Sequence, residues 1–172
     1  MATVPAPVLA PYWPIVYVRG YAMTPAEIAD AVSSPYMGFN VGATKLRQAW
    51  DGQVRRHVFE SPLVRLMKDC GYRDIYTDGT EIVGPVPARS VVIYRYYDNA
   101  DPDLGAGKAP SIVAAAEGLR DLVPRLRVQV CGDDAEALAG FKVHLVAHSM
   151  GGLVCRCFLQ NDAVSTPADR AL

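Results

Sequence analysis

The sequence has no excess of charge of either sign and no long hydrophobic run. Its 172 residues include 17 basic and 18 acidic side chains and carry a net charge of -1 at pH 7. This balance excludes the strongly basic surfaces that bind nucleic acids or anionic membranes. No segment approaches the roughly 20 consecutive apolar residues that a membrane-spanning helix needs. We therefore predict neither a nucleic-acid partner nor a transmembrane segment.

The amino-terminal region lacks the basic residues with which a secretory signal peptide begins. Prolines interrupt its apolar stretch, and proline fixes φ and removes a backbone donor, so an extended lead-in to a strand is expected. These prolines are Pro5, Pro7, Pro11 and Pro14. On this basis we expect a cytoplasmic location.

The four cysteines are too scattered to form a disulfide framework. Cys70 and Cys131 are isolated, whereas Cys155 and Cys157 lie two residues apart on a predicted helix. Their side chains then diverge by about 200°, so one metal ion does not easily bind both. We expect the cysteines to be small buried hydrophobic residues, and we predict no metal ligand.

Apolar segments rich in β-branched residues alternate with helical patterns along the chain. Strands are predicted at residues 14–20, 91–98 and 142–148, and helices at 24–32, 61–71, 111–123 and after Ser149. This alternation indicates an α/β fold with a mostly parallel sheet covered by helices on both faces. We predict one domain over residues 1–172 and make no assignment for residues 33–60.

Two local expectations concern the segment before the last strand. Pro124 is expected to end or kink the third helix, because proline removes a helical hydrogen bond and clashes with the preceding turn. An acidic turn with Asp133, Asp134 and Glu136 is expected to follow.

The last predicted strand runs through Ala-His-Ser-Met-Gly directly into an apolar helical pattern. This context is the one that a G-x-S-x-G nucleophile elbow requires, with Ser149 as the nucleophile. Small residues, here Ala147 and Gly151, flank the serine at two positions because the turn is tight. The amide of Met150 would then face a developing oxyanion from a helix N-terminus. The alternative is an ordinary strand-to-helix turn in which Ser149 is only a small helix cap.

Two motifs resemble those of the α/β-hydrolases of the lipase and esterase type. The segment VAHSMGGL is similar to the elbow of many lipases, including bacterial ones with alanine where Ala147 stands. The segment PIVYVRGYA resembles their oxyanion strand and loop, which usually read His-Gly-aromatic; Arg19 stands in place of the histidine, and Gly20 and Tyr21 fit. The chain as a whole resembles the N-terminal part of such an enzyme over roughly residues 14 to 160.

This resemblance implies a three-layer αβα hydrolase fold and a set of site residues. Ser149 would be the catalytic nucleophile, and Ala147, His148 and Gly151 would form the elbow with it. The backbone amides of Tyr21 and Met150 would form the oxyanion hole. The substrate would be an acyl ester or lipid, and no cofactor is implied.

The rest of a catalytic triad is harder to assign. In this fold the order along the chain is Ser, acid, His. After Ser149 the acids are Asp162 and Asp169, and all three histidines precede the serine. His148 adjoins the nucleophile and points away from it, His144 is expected in the core, and His57 would make a non-standard triad.

We therefore expect the domain to be incomplete at its carboxyl end, with the acid and base beyond residue 172. A further segment or a partner would then complete the sheet beside the last strand, whose backbone groups would otherwise stay unpaired along an apolar edge.

Three functions remain open at this point. The first is a serine hydrolase of carboxylic esters that forms an acyl-enzyme through Ser149. The second is an acyltransferase that uses the same serine and delivers the acyl group to an alcohol. The third is a non-catalytic, hydrolase-like binding protein.

Overall fold

The apolar, β-branched segments form short strands, and capping residues mark where several of the helices begin. The computed structural model describes residues 11–20, 44–48, 54–58, 62–75, 85–97, 100 and 107–172. The strands are β1 Ile15–Val18, β2 Thr44–Gln48, β3 Val54–Val58, β4 Arg73–Ile75, β5 Ser90–Ile93 and β6 His144–Ala147. The helices are α1 Pro62–Cys70, α2 Ile112–Cys131, α3 Ala135–Gly140, α4 Met150–Gln160 and α5 Pro167–Arg170. The helix predicted at residues 24–32 lies outside the described residues.

Four of these strands form one parallel sheet in the order β4-β5-β1-β6. Ile15 of β1 pairs with Val91 on one side and with His144 on the other. The predicted parallel α/β arrangement is confirmed for this part of the chain. Because the strands are parallel, β1, β5 and β6 all end at the same edge of the sheet, which is where ligands bind in open α/β folds.

Alternate residues of β1 enter two separate cores. Val16 and Val18 belong to a cluster that includes the buried residues of α2 and α4. Ile15 and Tyr17 belong to the other, against which α1 packs through partly buried side chains. Helices therefore cover both faces of the sheet at β1, and all four residues of this strand are buried.

Residues 33–60, which had no sequence assignment, contain an antiparallel pair. Thr44 to Gln48 of β2 pair with Val58 to Val54 of β3. His57 lies on β3 opposite Lys45.

Pro124 was expected to end or kink the third helix, and the first of these two alternatives is wrong. Helix α2 continues through Pro124 to Cys131, and Gly132 follows with a positive φ of 55°. Apolar residues on both sides of the proline, such as Leu122 and Leu126, are fully buried on the same cluster. Their burial offsets the roughly 3 kcal/mol by which proline disfavours a helix interior.

The acidic segment after α2 is not a simple turn. The Asp134 side chain accepts a hydrogen bond from the Ala137 amide at 2.9 Å and caps α3, so Glu136 lies in the first turn of that helix. The capping role of aspartate was the sequence signal for this helix. Among the described residues, no helix combines the length and apolar character needed to cross a bilayer.

Candidate active site

Ser149 occupies the sharp connection between β6 and α4. Its backbone has φ 53° and ψ -127°, and it is the only non-glycine residue with positive φ in the described part of the chain. Such a conformation costs a residue with a Cβ about 1 to 3 kcal/mol, and it persists only where surrounding structure holds it in place. The turn is therefore strained at the candidate nucleophile.

The conformation of Ser149 differs from that of a helix-capping serine. Ser111 caps α2 with an extended backbone (φ -66°), and its hydroxyl accepts a hydrogen bond from the Ala114 amide at 3.1 Å. Ser149 stands at the same position before α4, but its side chain makes no capping bond and it is exposed. This geometry disfavours the alternative in which Ser149 is only a small cap.

Gly151 lies where the first turn of α4 packs on the end of β1. A Cβ atom at this position would lie 1.9 Å from the carbonyl oxygen of Val18 and 2.9 Å from the carbonyl carbon of Arg19. The sequence requirement for a small residue two positions after the serine thus has a specific cause, because backbone occupies the space of a side chain.

Gly20 brings the second sequence motif into contact with the first. A Cβ atom on Gly20 would lie 2.8 Å from both the Cβ of Ser149 and the amide nitrogen of Met150. Only a glycine permits this approach without displacing the strained turn. The segment that resembles an oxyanion loop and the segment that resembles an elbow are therefore adjacent in space, although about three quarters of the chain separates them.

The Met150 amide is the first of α4 and lies at the N-terminus of this helix. The Gly151 amide donates to the His148 carbonyl at 3.0 Å, and the Gly152 amide donates to the Ser149 carbonyl at 2.9 Å. The Met150 amide makes no backbone hydrogen bond within the described residues. The dipole of α4 adds a partial positive charge at this point. Tyr21, the other predicted oxyanion donor, lies outside the described residues.

Ala147 and His148 connect the turn to the sheet. Ala147 pairs with Val18 of β1, and the His148 amide donates to the Val18 carbonyl at 3.0 Å. Val18 thus contacts the elbow both through this bond and through Gly151. The turn at Ser149 is therefore bound to the end of β1, and these contacts limit how far the strained backbone can relax.

Arg19 lies between β1 and Gly20 and is fully buried. The Cζ atom of its guanidinium group lies 4.4 Å from the ring centroid of Tyr97, within the range of a cation–π interaction. The Tyr96 hydroxyl donates a hydrogen bond to the Arg19 carbonyl at 2.9 Å. Arg19 also acts on Tyr17: its positive charge opposes the desolvation by burial that raises the pKa of that phenol.

Sequence reasoning missed Tyr96 and Tyr97. It assigned residues 91–98 to a single strand, in which neighbouring side chains face opposite sides. Strand β5 ends at Ile93 instead, and Tyr94, Tyr96 and Tyr97 all join the cluster that contains α2 and α4. The available signal was the run of aromatic residues directly after an apolar strand.

In the described part of the chain, His144 and the two late acids have partners other than Ser149. His144 was expected in the core, but it is exposed, with its ring edge-on to Trp13 at a centroid distance of 5.8 Å. Asp162 accepts a hydrogen bond from Arg170, and Asp169 forms a capping box with Thr166. The amide and hydroxyl of Thr166 lower the pKa of Asp169. Both acids thus have local structural partners around α5.

All four cysteines are free thiols, and Cys155 does not compete with Ser149 as a nucleophile. Cys131 and Cys155 are buried, whereas Cys70 and Cys157 are partly buried. Burial raises the pKa of the Cys155 thiol to about 11, which keeps it protonated at neutral pH and therefore unreactive. The expectation of small buried hydrophobic residues is confirmed for Cys131 and Cys155.

The chain was compared with protein-family models, with curated proteins and with solved structures, and none of them matches it. The functional assignment consequently depends on the residues and geometry described above.

Proposed function

We propose that the chain carries the nucleophile and part of the oxyanion hole of a serine hydrolase for carboxylic esters, of the α/β-hydrolase lipase and esterase type. One observation carries the proposal: Ser149 is exposed in a strained, positive-φ conformation between a parallel strand and a helix. The close approach of Gly20 and Gly151 to this turn supports it further. A resting structural turn gains nothing from such strain, whereas an elbow uses it to present a hydroxyl.

The reaction begins when the Ser149 Oγ attacks the carbonyl carbon of an ester. A new C–O bond forms while the hydroxyl proton passes to a base, and the carbonyl oxygen becomes an oxyanion. The Met150 amide and the amide of Tyr21 donate hydrogen bonds to that oxyanion. Collapse of the intermediate releases the alcohol, and water then hydrolyses the acyl-enzyme to a free acid.

The acyl ester or lipid substrate and the cytoplasmic location belong to the same proposal. The resemblance of the segment VAHSMGGL to the elbow of many lipases favours an acyl ester as the substrate. The general base is not assigned to any described residue. An external base is therefore added in the experiment that tests Ser149 as the nucleophile.

The test is covalent labelling of Ser149 with an alkyl fluorophosphonate, with and without imidazole as an external base. The Oγ–P bond forms, the P–F bond breaks, fluoride leaves and the proton passes to the base. We expect one adduct per chain at Ser149, located by peptide mass spectrometry, with a rate that rises with imidazole. Ser149→Ala should take up no adduct.

Ser111 is the matched control within the same molecule, because it is also an exposed serine directly before a helix but has an ordinary backbone conformation. Equal labelling of Ser111 and Ser149, or no labelling of Ser149 with imidazole present, would rule out an activated nucleophile. Labelling of Ser149 without imidazole would support the proposal and point to an internal base, with His57 as the first to replace.

A further inference from the structure

Arg19 connects the residues that follow β5 to the residues that follow β1. Its side chain is fully buried with the guanidinium group over the Tyr97 ring, and its carbonyl accepts the Tyr96 hydroxyl. One residue is therefore held at two points by two consecutive tyrosines. Both tyrosines are themselves buried in the cluster shared with α2 and α4.

The hydrogen bond from Tyr96 acts on a particular peptide unit. The Arg19 carbonyl belongs to the peptide plane that joins Arg19 to Gly20, so its 2.9 Å bond limits rotation of that plane. Gly20 in turn lies against the Cβ atom of Ser149 and the amide nitrogen of Met150. A rotation at this peptide would carry Gly20 away from or into the strained turn.

The guanidinium group of Arg19 makes a cation–π contact with Tyr97 that a smaller or neutral side chain would not make. It is planar and remains charged, and it stacks on an aromatic ring more effectively than an ammonium group does. Because the group is buried against the Tyr97 ring, the position of Arg19 depends on Tyr97, which follows the end of β5. The arrangement thus ties the ends of β1 and β5 together directly beside the elbow.

We propose that Arg19, held by Tyr96 and Tyr97, is a positioning residue that fixes the peptide unit before Gly20 and so sets Gly20 against Ser149 and Met150. This inference depends on the proposed function, because it assigns the fixed position of Gly20 to stabilisation of the reaction at Ser149. It also predicts a physical effect on the backbone at Gly20 that does not require any reaction.

The kinetic test uses the fluorophosphonate at a constant imidazole concentration and separates the limiting labelling rate from the half-saturating probe concentration. Tyr96→Phe removes the hydroxyl bonded to Arg19, and Tyr94→Phe is its matched control. Tyr94 directly follows β5 and is buried in the same cluster as Tyr96. Its hydroxyl donates a comparable hydrogen bond, at 2.7 Å, to the carbonyl of Ala115 in α2. Both variants therefore lose one buried hydrogen bond, and only one of those bonds reaches the site.

We expect Tyr96→Phe to lower the limiting rate by about tenfold and Arg19→Met to lower it by about 100-fold, because a displacement of about 1 Å in a reacting group has effects of that order. The half-saturating probe concentration should stay the same. Tyr94→Phe should keep the parent rate, and so should Arg156→Met, which changes an exposed arginine on α4. Tyr97→Leu removes the ring under the guanidinium group and should also lower the limiting rate. Tyr97→Phe keeps the ring and should retain the parent rate.

A merely structural role would lower the melting temperature of all the tyrosine variants and leave the limiting rate of the folded fraction unchanged. A folded Arg19→Met or Tyr96→Phe chain with the parent rate would overturn the inference. Failure of the parent chain to label would count against the proposed function instead. In that case amide hydrogen exchange at Gly20 and Met150 decides whether Arg19 holds this backbone in place. We expect faster exchange at both amides in Tyr96→Phe but not in Tyr94→Phe, and equal exchange in the two variants would overturn the inference.

Discussion

Replacing Gly151 with alanine puts a methyl group where the first turn of α4 packs on β1. Its carbon would lie 1.9 Å from the carbonyl oxygen of Val18 and 2.6 Å from the carbonyl carbon of the same residue. The shorter distance is roughly 1.5 Å inside the separation at which nonbonded heavy atoms pack best. Both obstructing atoms belong to the backbone, so no side chain can rotate to make room.

The sheet cannot easily give way at this point. Val18 is fully buried on β1, and this strand is paired with β5 on one side and β6 on the other. Helix α4 must therefore move outward, which carries Ser149 and Met150 away from Gly20. Overpacking of this kind costs about 1 to 3 kcal/mol, a large part of a typical total stability of about 5 to 15 kcal/mol.

Gly152 is the matched control for this substitution. It is the next residue of the same helix, and a Cβ atom there would meet no atom within 4 Å. Gly152→Ala should be neutral or stabilising by up to about 1 kcal/mol, because alanine is the better helix former. The two variants should thus differ by about 1 to 4 kcal/mol in the free energy of unfolding, with Gly151→Ala the less stable.

Thermal and urea unfolding of both variants measure this difference, which corresponds to a gap in melting temperature of roughly 2 to 16 °C for a chain of this size. Fluorophosphonate labelling of Ser149 should slow in Gly151→Ala and stay unchanged in Gly152→Ala. Equal melting temperatures for the two variants would refute the reasoning, because they would mean that α4 does not pack on the end of β1 as described.

Two further predictions concern Ser149 and Cys155. Since Ser149 has a φ of 53°, Ser149→Gly should be more stable than Ser149→Ala by about 1 kcal/mol, measured by urea unfolding, and the usual preference for alanine would indicate an unstrained turn. Burial raises the pKa of Cys155 from 9.0 to about 11, so its contribution to stability is fully present below pH 9 and is lost as the pH rises towards 11. Between about pH 8 and about pH 10.5, the parent should lose about 2 kcal/mol more unfolding free energy than Cys155→Ala, and equal losses would contradict the burial of the thiol.

The sequence by itself determined the features that have a short-range cause. The apolar, β-branched runs located β1, β5 and β6, since strand patterns depend on residues a few positions apart. The change from a strand pattern to a helix pattern located the turn at Ser149, because both patterns also depend on residues a few positions apart. The helix predicted at residues 61–71 is present as α1, and Gly71 follows it with a positive φ of 70°, a common way for a helix to end.

Tertiary structure decided the features that depend on contacts distant in the sequence. Helix α2 continues past Pro124 because the buried residues beyond the proline pack on the sheet, and no local pattern reports that energy. Strand β5 is shorter than predicted because Tyr94, Tyr96 and Tyr97 turn into one cluster. The candidate site shows the same division, because the sequence located Ser149 and Gly20 only separately. The contact between them, and the contacts of Arg19 with the tyrosines after β5, require β1 to lie between β5 and β6. That strand order is set by the packing of whole elements, because burial is shared among residues that are far apart along the chain.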